Sequence, residues 1–226
     1  MCEADDASQR TFLTPDLLEA SAAGHARLCP RQVLGLRMGL LGGKALGLDL
    51  PRRDKRLLAI VETDGCMVSG ISAATGCSVG RRTLYVMDYG KVAATLIDTR
   101  TGQAVRVAPR ADVRQRANQY APIAQSRWHA QLEGYQVMPD DELLSCQPVS
   151  LTFSLAELIS VPGRRATCEA CGEEIINQRE VLRDGMTLCR SCAEGGYYTL
   201  IGEAETWCAS HGPVGAASKG SGKPLP

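Results

Sequence analysis

Four cysteines near the C-terminus have the spacing of a zinc-binding knuckle. They follow the pattern C-x2-C-x17-C-x2-C, with sulfur ligands at Cys168, Cys171, Cys189 and Cys192, and this spacing is typical of structural zinc sites. Two intervening residues allow a tight turn to aim both thiolates of a pair at one ion. Because the protein supplies all four ligands, the pattern predicts a structural zinc ion. A redox role is disfavoured, since neither pair lies in a thioredoxin-like βαβ pattern.

A second group of candidate residues lies in the N-terminal half. Cys29 stands at the start of a predicted helix, and Cys66 follows Asp64 between a predicted strand and the next helix. A helix N-terminus stabilises a thiolate, which is the form that binds metals or attacks electrophiles. We therefore predict a cleft whose walls carry His25, Cys29, Asp64, Cys66 and Cys77. The alternative is that these cysteines are small residues of the core, where free cysteine is common.

The charge and aromatic content of the chain disfavour nucleic-acid binding. Lysine plus arginine and aspartate plus glutamate each number 25, and only 4% of the residues are aromatic. The chain therefore has no global basic field and few rings for stacking on bases. One further ligand pair, Cys208 and His211, is interpreted as incidental because short motifs often match by chance.

The N-terminal sequence MCEADDASQR lacks the apolar region of a signal peptide. The most apolar stretch, 33–50, is interrupted by Arg37 and Lys44, so we predict no membrane span. These features predict a cytoplasmic protein. In that reducing compartment the cysteines are expected to be metal ligands, reactive thiols or core residues instead of disulfides.

The pattern of apolar and turn residues predicts the elements that position these cysteines. Thr14 and Pro15 begin a helix that runs to Gly24. Further helices are expected at 30–46, 67–75 and within 110–145, and strands at 57–63, 83–88, 91–98, 103–108 and 149–153. Helices at the start, followed by neighbouring strands and more helices, indicate an α+β fold with a mixed or antiparallel sheet and packed helices.

The composition also predicts where the domains begin and end. The segment SVPGRRAT, at 160–167, separates a core domain of 13–160 from a four-cysteine zinc finger of 165–200. The finger is too small to fold on a core of its own, so zinc binding is expected to supply its folding free energy. The last segment, 201–226, is rich in Gly, Ser, Lys and Pro and is predicted to be a flexible tail.

Several blocks of the chain are recognisable together: CPRQVLGLRMGLLG, DKRLLAIVETDGC, ATGCSVGRRTL and DYGKVAATLIDTRTGQAVRV. They resemble the FmdE family, the E subunits of formylmethanofuran dehydrogenase, and the segment CEACGEEIINQREVLRDGMTLCRSCA is similar to the zinc finger that many members carry. The resemblance covers about 13–195. It implies an α+β core, a treble-clef-type zinc finger, a dimer, and association with molybdenum- or tungsten-pterin enzymes that handle formyl groups or formate.

The sequence departs from that family at two positions of the core cleft. The family motif His-Gly-His-x-Cys-Pro corresponds to 25–30, where Arg27 stands in place of the second histidine. Many members have an acidic residue where this chain has Ser69. An arginine cannot bind a metal ion, so the resemblance implies that a second metal in the core binds weakly or that the cleft binds an anion.

Glycines at 35, 39 and 43 repeat on one face of a predicted helix. Each costs about 1 kcal/mol relative to alanine inside a helix, so we predict that this face packs closely against another backbone. Together with the family resemblance, the glycine face predicts a homodimer.

The cysteine pattern predicts a zinc-containing protein, and the resemblance implies an accessory or subunit-like role with a molybdenum- or tungsten-pterin oxidoreductase. Two alternatives remain open at this point. One is an enzyme that acts through a metal ion or a thiolate in the cleft of His25, Cys29 and Cys66. The other is a zinc-finger regulator.

Overall fold

The computed structural model describes residues 10–159 and 162–199. The chain divides into two compact units, Met1–Ile159 and Ser160–Pro226. The predicted flexible tail, 201–226, lies outside the described residues, and so do Cys208 and His211. None of the described helices is both long and apolar enough to cross a bilayer.

The first unit contains a five-stranded mixed sheet in the order β2-β1-β3-β4-β5. The first pair, β1 and β2, is parallel, and the other neighbouring pairs are antiparallel. The strands are β1 (Leu57–Val61), β2 (Leu84–Val86), β3 (Ala94–Asp98), β4 (Ala104–Pro109) and β5 (Leu144–Val149). This architecture confirms the predicted α+β class.

Helices pack on both faces of this sheet. In order along the chain they are α1 (Pro15–Ala22), α2 (Pro30–Ala45), α3 (Cys66–Thr75), α4 (Val113–Tyr120), α5 (Arg127–Val137), α6 (Asp140–Leu143) and α7 (Leu155–Leu158). The strand β1 is buried along its whole length. Its Ala59 and Val61 belong to the larger core with α2 and α3, whereas Leu58 and Ile60 belong to a smaller core with α7.

Local sequence signals define several helix ends. Thr14 caps α1 by accepting a hydrogen bond from the N–H of Leu17, and Ser126 caps α5 by accepting one from His129. Gly76 ends α3 in the left-handed conformation, with φ of 75°. These positions match the ordinary capping preferences of serine, threonine and glycine.

The last strand of the sheet begins earlier than the sequence indicates. We predicted a strand at 149–153, but the strand is Leu144–Val149, and its first residues fall inside a segment predicted to be helical. Leu144 and Cys146 alternate with polar Ser145 and Gln147, but this alternation is short and ends at Pro148, and the strand has no β-branched or aromatic residue before Val149. It lies at the sheet edge, where one unpaired side tolerates proline.

The helices α2 and α3 are in backbone contact through glycines. A Cβ added at Gly35 would overlap the carbonyl oxygen of Met67, and one at Gly70 would lie 2.7 Å from the nitrogen of Leu36. Farther along, a Cβ at Gly39 would lie 2.8 Å from Cβ of Ala74. Contacts therefore advance in the same direction along both helices, which means that α2 and α3 are parallel.

This packing corrects the basis of the homodimer prediction. The predicted close approach to another backbone occurs at Gly35 and Gly39, but the partner is α3 of the same chain. The third glycine, Gly43, faces the side chain of Leu50. The glycine face is thus used inside the unit and gives no support to a dimer.

A fully buried arginine joins α2 to the end of α5. Arg37 donates hydrogen bonds to the carbonyl oxygens of Tyr135 (2.8 Å) and Met138 (2.6 Å), and to the carboxylate of Asp140 (2.8 Å). Asp140 also accepts a hydrogen bond from Thr11. Carbonyl groups at a helix C-terminus lack partners within the helix, so the guanidinium satisfies them and fixes α5 against α2.

The second unit consists of two short hairpins and a helix. The hairpins pair β6 (Arg165–Thr167) with β7 (Glu174–Ile176) and β8 (Val181–Arg183) with β9 (Met186–Leu188), and α8 (Arg190–Glu194) follows. Its buried hydrophobic residues are only Cys168, Ile175, Leu188 and Ala193 among those described. Such a small core makes a metal ion a necessary source of stability.

The α2–α3 contact predicts strong effects of small substitutions. Gly35→Ala or Gly70→Ala should reduce the free energy of unfolding by about 3 kcal/mol or more, because the methyl group must push two backbones apart. Urea unfolding of the purified protein measures this change. Gly80→Ala is the matched control, since a Cβ there meets nothing within 4 Å, and equal stability of all three variants would contradict the packing.

Candidate functional site

The two hairpins of the second unit bring the four cysteines of the knuckle together. Cys168 and Cys171 lie in the turn between β6 and β7, while Cys189 directly precedes α8 and Cys192 lies within it. The four sulfur atoms are all within 4.8 Å of one another. Gly172, at φ of 76°, allows the first turn, and its N–H donates to the carbonyl oxygen of Cys168 at 2.8 Å.

Backbone N–H groups stabilise negative charge on these sulfurs. Cys168 Sγ accepts from the N–H of Cys189 at 3.3 Å, and Cys189 Sγ accepts from the N–H of Cys192 at 3.4 Å. Hydrogen bonds from backbone N–H groups lower the pKa of Cys168 to about 6, and the bond from the N–H of Cys189 contributes most. The three neighbouring thiols raise the pKa of Cys192 to about 12, and Cys189 contributes most. A cation is therefore needed to hold four thiolates together.

The donor set fits zinc. Four thiolates within tetrahedral reach of one point match the closed coordination of a structural zinc ion. Within 10–159 and 162–199, no other group brings three or more cysteine, histidine or carboxylate ligand atoms within 4.8 Å. A second metal in the core therefore finds no comparable set of ligands among the described residues.

The core cleft begins where α2 and α3 begin. Cys29 precedes the first residue of α2, and its N–H donates to Oε1 of Gln32 at 2.7 Å. Cys66 is the first residue of α3. Because these helices are parallel and in contact, both cysteines lie at the same end of the pair, and Cys29 is close enough to Cys66 to raise the pKa of its thiol.

The surroundings of Cys66 oppose the thiolate that the sequence predicts at this helix start. We expected the helix N-terminus to favour its thiolate, but burial raises the pKa of Cys66, and the neighbouring Cys29 raises it further. Arg31 acts in the opposite direction and is a smaller influence. Two adjacent thiols cannot both ionise easily, so burial and the neighbouring thiol together outweigh the helix N-terminus.

The structure places the other predicted cleft residues in different surroundings. His25 Nε2 lies 3.0 Å from Oγ of Ser69, one turn after Cys66 on α3, so His25 does belong to this end of the helix pair. Asp64, two residues before α3, is exposed. Arg27 instead extends to α5, where its guanidinium lies 4.6 Å from the ring centroid of Trp128.

Cys77 is not part of the cleft surface. It is only 2% exposed and belongs to the main core, where its thiol donates to the carbonyl oxygen of Leu57 at 3.4 Å. Burial raises its pKa. The turn after Gly76 directs this side chain inward, so the structure matches the core alternative for Cys77.

Sequence reasoning missed a pocket next to Cys29. It has a volume of about 520 Å³ and is enclosed by the first turn of α2, the link from β4 into α4, and α5. Its charged and aromatic residues include Arg31, Arg110, Arg114, Trp128 and Tyr135. These positions show no common spacing or motif. Cys146, a half-buried thiol on β5, was also absent from the sequence prediction.

The knuckle gives a direct prediction about metal content. The purified protein should contain about one zinc ion per chain, and Cys189→Ser should abolish tight binding because a closed site needs all four thiolates. Plasma mass spectrometry measures the zinc, and protease digestion measures unfolding of the second unit. Cys146→Ser is the matched control, and a folded second unit without zinc would refute the assignment.

The core thiol pair predicts an order of alkylation. Iodoacetamide should modify Cys29 before Cys66, and Cys77 last, because Cys29 lines an open pocket whereas Cys77 is buried. Removal of the neighbour in Cys29→Ala should accelerate modification of Cys66, since both effects of Cys29 on the Cys66 pKa raise it. Peptide mass spectrometry over time gives the rates. An unchanged Cys66 rate, equal to that in Cys146→Ala, would mean that the two thiols do not interact.

Comparison with known proteins is consistent with this geometry. The family model described as FmdE, molybdenum formylmethanofuran dehydrogenase operon, matches residues 24–145, which include both core cysteines. The prokaryotic dksA/traR C4-type zinc finger matches residues 163–198, which include the four-cysteine cluster.

Two known proteins are similar to this one over most of its chain. A probable S-adenosyl-L-methionine-binding protein of Archaeoglobus fulgidus is 30% identical over 218 residues, which is 88% of this chain and 57% of that protein. The chain thus spans little more than half of its relative. A crystal structure of a tungsten formylmethanofuran dehydrogenase FmdE-like protein of Syntrophus aciditrophicus matches with a TM-score of 0.55 at 24% identity. The match covers 84% of this chain and 99% of the other, and this likeness concerns the fold.

Proposed function

The chain belongs to the FmdE family, and from that premise we propose that it is an accessory or subunit-like protein of a molybdenum- or tungsten-pterin oxidoreductase acting on formyl groups or formate. The family match over residues 24–145 is the observation that supports this proposal. The family description names the operon of such a dehydrogenase, and the resembling sequence blocks lie throughout this unit.

In this proposal the zinc ion has a structural role. All four ligand positions are occupied by cysteines, so the ion has no open position for a substrate. The second unit would then be a rigid module for contact with another protein. The chain would act in the cytoplasm and as a homodimer, the latter through a surface other than the glycine face.

A second candidate function is thiol or metal chemistry at the core pair. The observation that favours it is the proximity of Cys66 and Cys29 at two adjacent helix N-termini. His25 lies nearby through its contact with Ser69. Arg27 reduces the support for a metal site, since it stands at the second histidine's position and packs on Trp128.

S-Adenosylmethionine, which the name of the Archaeoglobus relative mentions, is not part of the proposal. Its sulfonium group is a cation, which nearby arginines destabilise unless carboxylates offset them. The pocket beside Cys29 has three arginines, and none of its described lining residues is acidic. A sulfonium there would be repelled.

The proposal predicts a complex that contains a pterin metal centre. Affinity-tagged protein, expressed in its native host and purified gently, should co-elute with molybdenum or tungsten and with a fluorescent oxidised pterin derivative. Plasma mass spectrometry and fluorescence detection after size exclusion measure both, and peptide mass spectrometry identifies the partner polypeptides.

Two controls make this experiment decisive. Cys189→Ser should lose the partner if the zinc module mediates contact, while Cys146→Ser should retain it. Absence of molybdenum, tungsten and pterin above the level of a tag-only sample would reject the accessory role. Sedimentation of the purified chain as a 24.2 kDa monomer would separately reject the homodimer.

A further inference from the structure

The pocket beside Cys29 concentrates positive charge without matching negative charge. Three arginines line it, at positions 31, 110 and 114, and no acidic residue does so among the described part of the lining. Arg110 Nε donates to the carbonyl oxygen of Asp141. Arg31 and Arg114 are exposed, and neither forms an ion pair within residues 10–159 and 162–199.

Two helix N-termini add to this positive potential. The pocket includes Pro30 and Arg31 in the first turn of α2, and Val113 and Arg114 in the first turn of α4. The first N–H groups of a helix have no partner within it, and the helix dipole favours a negative charge there. Guanidinium groups beside such a terminus are a common arrangement for binding anions.

A buried tyrosine provides an independent indication of a ligand. Tyr135 is only 1% exposed and lines the pocket, yet its hydroxyl forms no hydrogen bond with any described residue. Because Arg81 Nε is the only fully buried polar side-chain atom without a partner among the described residues, the Tyr135 hydroxyl is not sealed in the core and reaches open space at the pocket that it lines. Burial raises the pKa of Tyr135 to about 12, against a smaller lowering by the charge of nearby Arg114. At neutral pH the Tyr135 hydroxyl is therefore protonated. It can donate a hydrogen bond to a ligand that also contacts Arg114.

The rest of the lining is apolar. Leu34, Val92 and Val113 contribute aliphatic surface, and Trp128 contributes an aromatic ring. A volume of about 520 Å³ lies within the range of pockets that hold small organic molecules. The pocket is therefore suited to a molecule with a charged end and an apolar body, and an inorganic ion would leave most of it unfilled.

We propose that this pocket binds a small organic anion whose phosphate or carboxylate group is held by Arg31, Arg114 and the Tyr135 hydroxyl. The apolar body of the ligand packs against Leu34 and Val113, next to the thiol of Cys29. Guanidinium groups bind both kinds of anion through paired hydrogen bonds. This site lies within the first unit and does not depend on the partner proposed above.

Trp128 supplies the signal for a test. The chain has two tryptophans, so Trp207→Phe leaves Trp128 as the single reporter inside the pocket. The probes share one phenyl ring and differ in the charged group: phenyl phosphate and phenylacetate are anions, benzyl alcohol is neutral and benzylamine is a cation. Titration at low salt should give saturable changes in Trp128 emission for at least one anion, whichever group the site prefers.

Single substitutions then identify the groups that hold the anion. Arg31→Gln and Arg114→Gln should each weaken binding of the preferred anion about tenfold, as expected for the loss of a hydrogen bond to a charged group. Tyr135→Phe should weaken it severalfold while the thermal midpoint stays unchanged, because this hydroxyl bonds to no described residue. Arg100→Gln, which removes an exposed arginine from the β3–β4 hairpin, is the matched control.

Three results would overturn the proposal. The first is that neither anion produces a saturable change at millimolar concentration, and the second is that the neutral or cationic probe binds as tightly as the anions. The third is that the two arginine variants retain the affinity of Arg100→Gln. Binding of phenyl phosphate alone or phenylacetate alone supports the site and identifies its anion. The oxidoreductase partner is absent from this experiment, so its outcome is independent of the accessory role.

Discussion

The direct contact between the backbones of α2 and α3 sets the geometry of the larger unit. Gly35 and Gly70 allow the two helices to approach until only backbone atoms separate them, and the parallel direction brings their N-termini together. Cys29 and Cys66 become neighbours for this reason alone. Any side chain at either glycine separates the helices, so the contact couples the stability of the fold to the chemistry of the thiol pair.

A second constraint, the buried Arg37, sets the position of α5. Its hydrogen bonds to the end of that helix and to Asp140 place Trp128 and Tyr135 opposite the first turn of α2. Removing one partner of such a network leaves a buried charge unpaired, which costs about 3–5 kcal/mol. The position of α5 at the pocket therefore depends on the hydrogen-bond network of Arg37, which lies in the core. Arg37 itself does not line the pocket.

The two units obtain their stability in different ways. The first has an extensive hydrophobic core on both faces of β1, whereas the second has four buried hydrophobic residues among those described and a cluster of four thiols. Those thiols repel one another when ionised, and a zinc ion converts this repulsion into cross-links between two hairpins. The metal thus replaces the core that a segment of this size cannot form.

The sequence determined what depends on neighbours along the chain. Spacing between cysteines defined the four-thiol cluster, and caps such as Thr14 and Gly76 defined helix ends, because turns and caps involve a few consecutive residues. It placed Cys66 at a helix start and Cys77 after a helix end, but it assigned both to one cleft, and only tertiary packing shows that Cys77 is a core residue. Arg31, Arg114 and Tyr135 are far apart in sequence, and they meet because Arg37 holds α5 against α2 and Gly134 lets α5 approach α4 at Ala117. That arrangement is a property of tertiary packing, in which distant residues become neighbours without any local pattern to mark them.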